Sequence, residues 1–147
     1  MMDFGCHRIE VLMNLFGSQV RHVAGVTANV AFDRAVEDTA AVLLNFESGP
    51  CASVTVTHAS HERQDTLHVF GTRGSIHVDD LNAGSVRVQA DGSRIEVHPP
   101  VANVHLPLVE DFVDAVLRDR EPAVTGETGR AVAAIEDIIY AVAPAAR

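Results

Sequence analysis

The stretch Asp3-Phe-Gly-Cys-His7-Arg-Ile-Glu10 places a carboxylate four residues before an imidazole. On a helix those two positions share a face. A carboxylate beside an imidazole fixes its tautomer and raises its basicity, which suits proton transfer near neutral pH. Oxidation of an alcohol needs such a base, because the hydroxyl proton must leave as hydride departs. Gly5, between the two, removes a side chain where a cofactor or substrate could approach closely. The same spacing also describes a capping aspartate followed by an ordinary surface or core histidine. Asp-x-x-x-His alone does not separate the two readings.

Other combinations offer less. His58 and His61 invite comparison with a metal pair, but their spacing follows a strand into a loop, and no third ligand stands nearby in sequence. Glu37-Asp38 and Asp79-Asp80 read as turn or strand-end acids rather than a catalytic carboxylate pair. Cys6 and His7 are adjacent, and adjacent helix positions do not face each other, so a Cys–His nucleophile is not expected. The chain has no Gly-x-Ser-x-Gly elbow, no Gly-x-Gly-x-x-Gly stretch and no Walker sequence. It also has no lysine: all eleven basic residues are arginine.

The 147 residues, 47% hydrophobic and 21% charged, are enough for a single domain over residues 1–147 with its own core. A net charge of −9 repels phosphate backbones and argues against nucleic acid as a partner. No apolar run is long enough to span a bilayer, and no signal peptide is visible, so no membrane partner is expected. Two cysteines are too few for a disulfide framework, and the expected location is cytoplasmic.

Positioning elements follow from periodicity. Ile9, Leu12, Met13 and Phe16 recur at helical spacing, Gly17 is placed to end the helix, and Asp3 sits where a carboxylate suits its first turn. Residues 20–97 read as strands. The first alternates from Val20 to Phe32. Thr39 to Phe46 is nearly all apolar and reads as a central strand covered on both sides. Cys51 to Ala59, Thr66 to Phe70, Ser75 to Val78, Ser85 to Ala90 and Arg94 to Val97 follow, separated by hairpin-type turns. Pro107 then opens a helix whose Leu108, Phe112, Val113, Val116 and Leu117 form an apolar stripe, and Thr125 caps a last helix carrying Val132, Ile135, Ile139 and Val142. The predicted fold class is α+β: an open-faced, mainly antiparallel mixed sheet with helices packed on one face. Ser53, Thr55, Thr57 and His68 fall on the face away from the helices. Such a flat surface without long charged side chains suits docking of a second copy around a two-fold axis, or it is an ordinary solvated face.

The whole chain resembles the C-terminal domain of the Gfo/Idh/MocA oxidoreductase family. The resemblance is carried by Asp3-Phe-Gly-Cys-His7-Arg-Ile-Glu10, by Val36-Glu-Asp-Thr39 with Asn45-Phe-Glu-Ser-Gly49, and by Val69-Phe-Gly-Thr-Arg-Gly-Ser-Ile76. It continues through Leu108-Val-Glu-Asp-Phe112 and Glu121-Pro-Ala-Val-Thr-Gly126, all in the family's order. It implies that Asp3 and His7 match the catalytic Asp/His positions, with His7 exchanging the substrate proton and Asp3 as its partner. It implies a substrate contact at Glu10, which stands where the family usually has Asp and keeps the charge on a longer side chain. It further implies a sugar or polyol substrate, a homo-oligomer formed through the open sheet face, and NAD or NADP bound by an N-terminal Rossmann domain ending in Glu-Lys-Pro. That domain and its lysine are not in this sequence, so the chain alone is expected to bind no cofactor and to be inactive. It reads as a domain fragment, as one part of a split enzyme with a separately encoded Rossmann partner, or as a stand-alone dimeric binding or structural module without redox activity. A lyase or isomerase using the same Asp–His pair is a remoter alternative.

Overall fold

The computed structural model describes Met1, residues 3–142 and residues 145–146. The chain folds as two compact units: Met1–Ser60 together with Val124–Arg147, and His61–Ala123.

In the first unit, helix α1 (Gly5–Phe16) leads into strands β1 (Val20–Ala28), β2 (Thr39–Phe46) and β3 (Cys51–Thr57). In the second, β4 (Leu67–Gly71), β5 (Gly74–Val78), β6 (Ser85–Ala90) and β7 (Gly92–Val97) precede helix α2 (Leu106–Arg118). Helix α3 (Gly126–Val142) and the short β8 (Ala145–Ala146) return to the first unit.

The first unit's sheet has the order β3-β2-β1-β8, antiparallel except for the parallel β1–β8 edge. It is mainly antiparallel and mixed, as expected. Its core forms because β2 alternates: Ala40, Val42, Leu44 and Phe46 are buried, while Leu43 and Asn45 are exposed. Also buried are Ile9, Leu12 and Met13 of α1 and Val132, Ile135 and Ile139 of α3, where α1 packs on α3 and β3 and α3 packs on β1. Phe16 and Phe46 close one end of this layer edge-to-face, 4.8 Å between ring centroids. Ile9, Leu44 and Ile139 are almost completely removed from water, each contributing about 1.5–3 kcal/mol by burial.

The start and stop signals act largely as read. Gly17 terminates α1 in the left-handed region, φ 56°, with its N–H donating to the Asn14 carbonyl. Thr125 Oγ1 accepts a long hydrogen bond, 3.4 Å, from the Thr128 N–H at the start of α3. Asp3 does not cap α1: the N-cap is Phe4, and no described side chain completes the helix end. Strand β1 stops at Ala28, short of Phe32. The Asp38 carboxylate draws the following residues into a loop by accepting the N–H groups of Val30, Ala31 and Phe32, which are then lost to any strand ladder.

Three packing expectations are corrected. β2 lies between β1 and β3, but only one of its faces is covered, and Leu43 is 52% exposed. An all-apolar strand reports two apolar faces, not two covers. His68 does not share the sheet of Ser53, Thr55 and Thr57; it lies on β4 of the second sheet, whose order is β4-β5-β6-β7. The α2 stripe is also uncovered: Leu108, Phe112, Val116 and Leu117 are all exposed, and Ala115 is that helix's one buried residue among the described ones. The end of α2 is held instead by Arg120, which donates to the carboxylates of Asp111 and Asp114.

Candidate active site on the first helix

Asp3, His7 and Glu10 lie at and along the start of α1. Asp3 sits in the turn just before the helix, His7 is exposed in its first turns, and Glu10 is half-buried. The apolar side of the same helix, Ile9, Leu12 and Met13, is locked into the core. The helix is therefore a rigid base that presents an imidazole to solvent.

Asp3 and His7 are not paired. Because Asp3 precedes the helix, its carboxylate is not constrained to the helical face of His7. It reaches His58, just beyond β3, with Oδ2 3.5 Å from Nε2. Phe4 stacks obliquely on the same imidazole, 4.9 Å between centroids. Among the described residues no hydrogen bond joins Asp3 to His7. His58, just beyond β3, is the neighbour that meets the entry to α1. No group of three or more His, Cys, Asp and Glu among the described residues could hold a metal ion.

Gly5 has a different reason from the one expected. It is buried, and a Cβ there would collide with the end of the Met1 side chain. The missing side chain makes room for this chain's own residue.

A second set of groups stands behind the helix. Glu37 accepts hydrogen bonds from the Met1 amine and the Tyr140 hydroxyl. These partners together outweigh desolvation, the largest single influence, and hold its carboxyl below the usual value. Glu136 of α3 is a buried acid, and its Oε1 has no hydrogen-bond partner among the described residues. Burial pushes its carboxyl up; the Met1 amine and His7 oppose that rise, while Asp137 and Glu37 reinforce it. This buried acid is on the last helix, more than a hundred residues from His7 in sequence. Within Ala-Ile-Glu136-Asp-Ile, no local signal separates it from a surface glutamate.

Asp38 is a structural acid. Three backbone amides and the Thr39 hydroxyl donate to it, holding its carboxyl far below the usual carboxylate range against the opposing effect of desolvation.

The Gly71-Thr-Arg-Gly74 turn joins β4 to β5 as a hairpin. A Cβ at Gly74 would strike the Gln89 carbonyl of β6, so this glycine serves the close approach of two strands.

Residues 1–77 match the family model described as the GFO/IDH/MocA C-terminal domain. The chain belongs to the GFO/IDH/MocA family. Within this family, D-apiose dehydrogenase of Paraburkholderia graminis is 32% identical over 96 residues, which are 65% of this chain and 24% of that protein. Aldose-aldose oxidoreductase from Caulobacter crescentus, solved with glycerol, superposes with a TM-score of 0.83 at 24% identity, covering 97% of this chain and 44% of that one. An oxidoreductase from Agrobacterium radiobacter, solved with NAD+, L-tartaric acid and magnesium, gives 0.83 at 20% identity, covering 96% and 46%. These superpositions show the α+β C-terminal-domain fold of the GFO/IDH/MocA proteins. The chain spans less than half the length of those relatives. No helix among its described residues is long and apolar enough to cross a membrane.

Proposed function

We propose that residues 1–147 act as a single substrate-binding and oligomerisation domain of a cytoplasmic sugar or polyol oxidoreductase. His7 is the residue that exchanges the substrate hydroxyl proton. The observation that carries this reading is the exposure of His7 on a helix whose opposite side is fixed in the core, within the part of the chain that matches the family model. A base on a rigid element can meet a substrate hydroxyl at a fixed distance. Glu10, three residues along the helix, supplies a carboxylate acceptor for a neighbouring hydroxyl. Asp3 contributes negative charge at the helix entry, shared with His58. The electron acceptor, NAD or NADP, belongs to a nucleotide-binding part outside this sequence, and the chain by itself is inactive.

The open face of the first sheet supports self-association. The β1–β2–β3 register builds rows Ala24-Leu43-Ser53, Val26-Ala41-Thr55 and Ala28-Thr39-Thr57. They contain no charged side chain, and Val26 is 58% exposed. A flat row of small, apolar and hydroxyl residues can meet its own copy without burying unpaired charge.

NMR titration of the chain with a panel of aldoses and polyols tests the site. The expected result is shifts confined to the α1 signals around Asp3, His7 and Glu10, with no response to NAD(H) at millimolar concentration. A panel that leaves these signals unmoved, or dinucleotide binding to this chain, refutes the assignment.

A further inference from the structure

The second unit holds a histidine arrangement that the α1 chemistry does not use. His68 on β4 and His77 on β5 are directly opposite each other in the antiparallel register. Their side chains therefore leave the sheet on the same face. The two Nδ1 atoms are 3.2 Å apart, and the ring centroids 5.1 Å. His68 is exposed and His77 half-buried. Two ring nitrogens that close have room for one proton between them. One must donate and the other accept, so a bare lone pair always points at the partner ring.

The other nitrogen of His77 is also fixed. Its Nε2 lies 2.8 Å from Ser75 Oγ, two residues back on the same strand and face. When Nε2–H donates to that hydroxyl, Nδ1 carries the free lone pair. Metal-binding histidines characteristically have this kind of support, in which a neighbour holds one nitrogen protonated and orients the other. Phe70, on the same face, packs edge-on against the His77 ring at 5.5 Å and limits its rotation.

We propose that His68 and His77 form a two-nitrogen chelate for a divalent transition-metal ion, with water completing the coordination. Imidazole nitrogens bind such ions at about 2.0–2.1 Å, which places two of them about 2.9 Å apart at a right angle and about 3.4 Å apart at the tetrahedral angle. The observed 3.2 Å falls between these limits, so the ion enters as the His68 ring shifts its proton from Nδ1 to Nε2, leaving both Nδ1 lone pairs for the metal without rebuilding the hairpin. The site is distinct in kind from a closed structural zinc site, since two protein ligands leave most positions to water. Arg87 faces His77 in the register of β6 and adds an unfavourable positive charge. Among the divalent ions, copper(II) is the strongest binder of such nitrogen ligands and is the ion expected to bind most tightly.

Two experiments on the full chain decide this. In zinc(II) titration followed by NMR, the His68 and His77 ring signals are expected to shift first and together, ahead of every other histidine. Copper(II) should bind at least tenfold more tightly than zinc, with an electron paramagnetic resonance signature of two coordinated nitrogens. His68→Asn or His77→Asn should each weaken copper binding at least tenfold, with the double variant little worse than either, because a chelate is lost with its first arm. Arg87→Gln should tighten it. If the two ring signals of the unaltered chain move no earlier than those of the remaining histidines, the chelate does not exist. Copper isotherms that superimpose for the parent and His77→Asn would overturn it equally.

Discussion

The carboxylate of Asp3 is committed to His58, 3.5 Å away, rather than to His7 four residues along. The pair is exposed, with the Asp3 side chain 73% accessible. Exposed ion pairs contribute about 0–1 kcal/mol. Asp3→Asn should therefore leave the chain's denaturant midpoint almost unchanged, and so should His58→Gln. If Asp3 serves the substrate, Asp3→Asn should still weaken the sugar-induced shifts at α1, while His58→Gln should alter them only modestly. Equal effects of the two substitutions on binding would assign Asp3 to holding the helix entry and nothing more.

Glu136 sets a pH dependence of known sign. Its folded-state carboxyl is raised, mainly by burial. Above the unfolded glutamate value, about 4.3, the folded protein holds a proton that the unfolded chain has released. Stability from this group therefore falls as pH rises through that window. Glu136→Gln should flatten this part of the stability–pH curve and make the protein more stable at neutral pH. Chemical denaturation between pH 4 and 8 checks it; an unchanged slope would mean that the carboxyl is solvated.

Asp38 has the opposite sign. Its depressed value means that its contribution is complete above the unfolded aspartate value, about 3.9, and is lost as pH falls below it. Asp38→Ala leaves the backbone amides of Val30, Ala31 and Phe32 without their shared acceptor. Amide exchange at these three residues should accelerate selectively, while α1 and α3 stay protected. Global acceleration would show that the loop and the core open as one unit.

Leu43 and Leu44 separate folding from association. Leu44 is fully buried, so Leu44→Ala should cost about 2–5 kcal/mol of stability. Leu43 points to the open face, 52% exposed. Leu43→Ala should hardly change the unfolding midpoint of a monomer but should weaken self-association. Thr55→Lys is the stronger test, because it sets like charges across a two-fold contact. Thr57 suits this less well, since its hydroxyl bonds to Thr39 and accepts the Ala59 N–H. Sedimentation should show a dimer for the parent and a monomer for Thr55→Lys. A monomeric parent would remove the oligomerisation role.

Periodicity alone located the helices and most strand bounds, because alternation and helical spacing are local properties of the chain. β2 and β6 match the expected spans residue for residue. Gly17, Pro107 and Thr125 acted where read, since caps and breakers work over one turn of backbone. The same local view overextended β1, because Asp38, which captures the amides beyond Ala28, lies eight residues past Val30.

By itself the sequence determined the α+β class, the placement of His7 on the first helix and the family, since each rests on residue order and short-range geometry. Only the tertiary structure decided which groups meet: Asp3 with His58, Glu37 with Tyr140, and His68 opposite His77. It also decided that Leu43 and the α2 stripe stay uncovered while Leu44 is sealed. The reason is physical: hydrophobicity along a strand or helix records what a side chain would tolerate, whereas partners and covers depend on contacts between segments far apart in the chain.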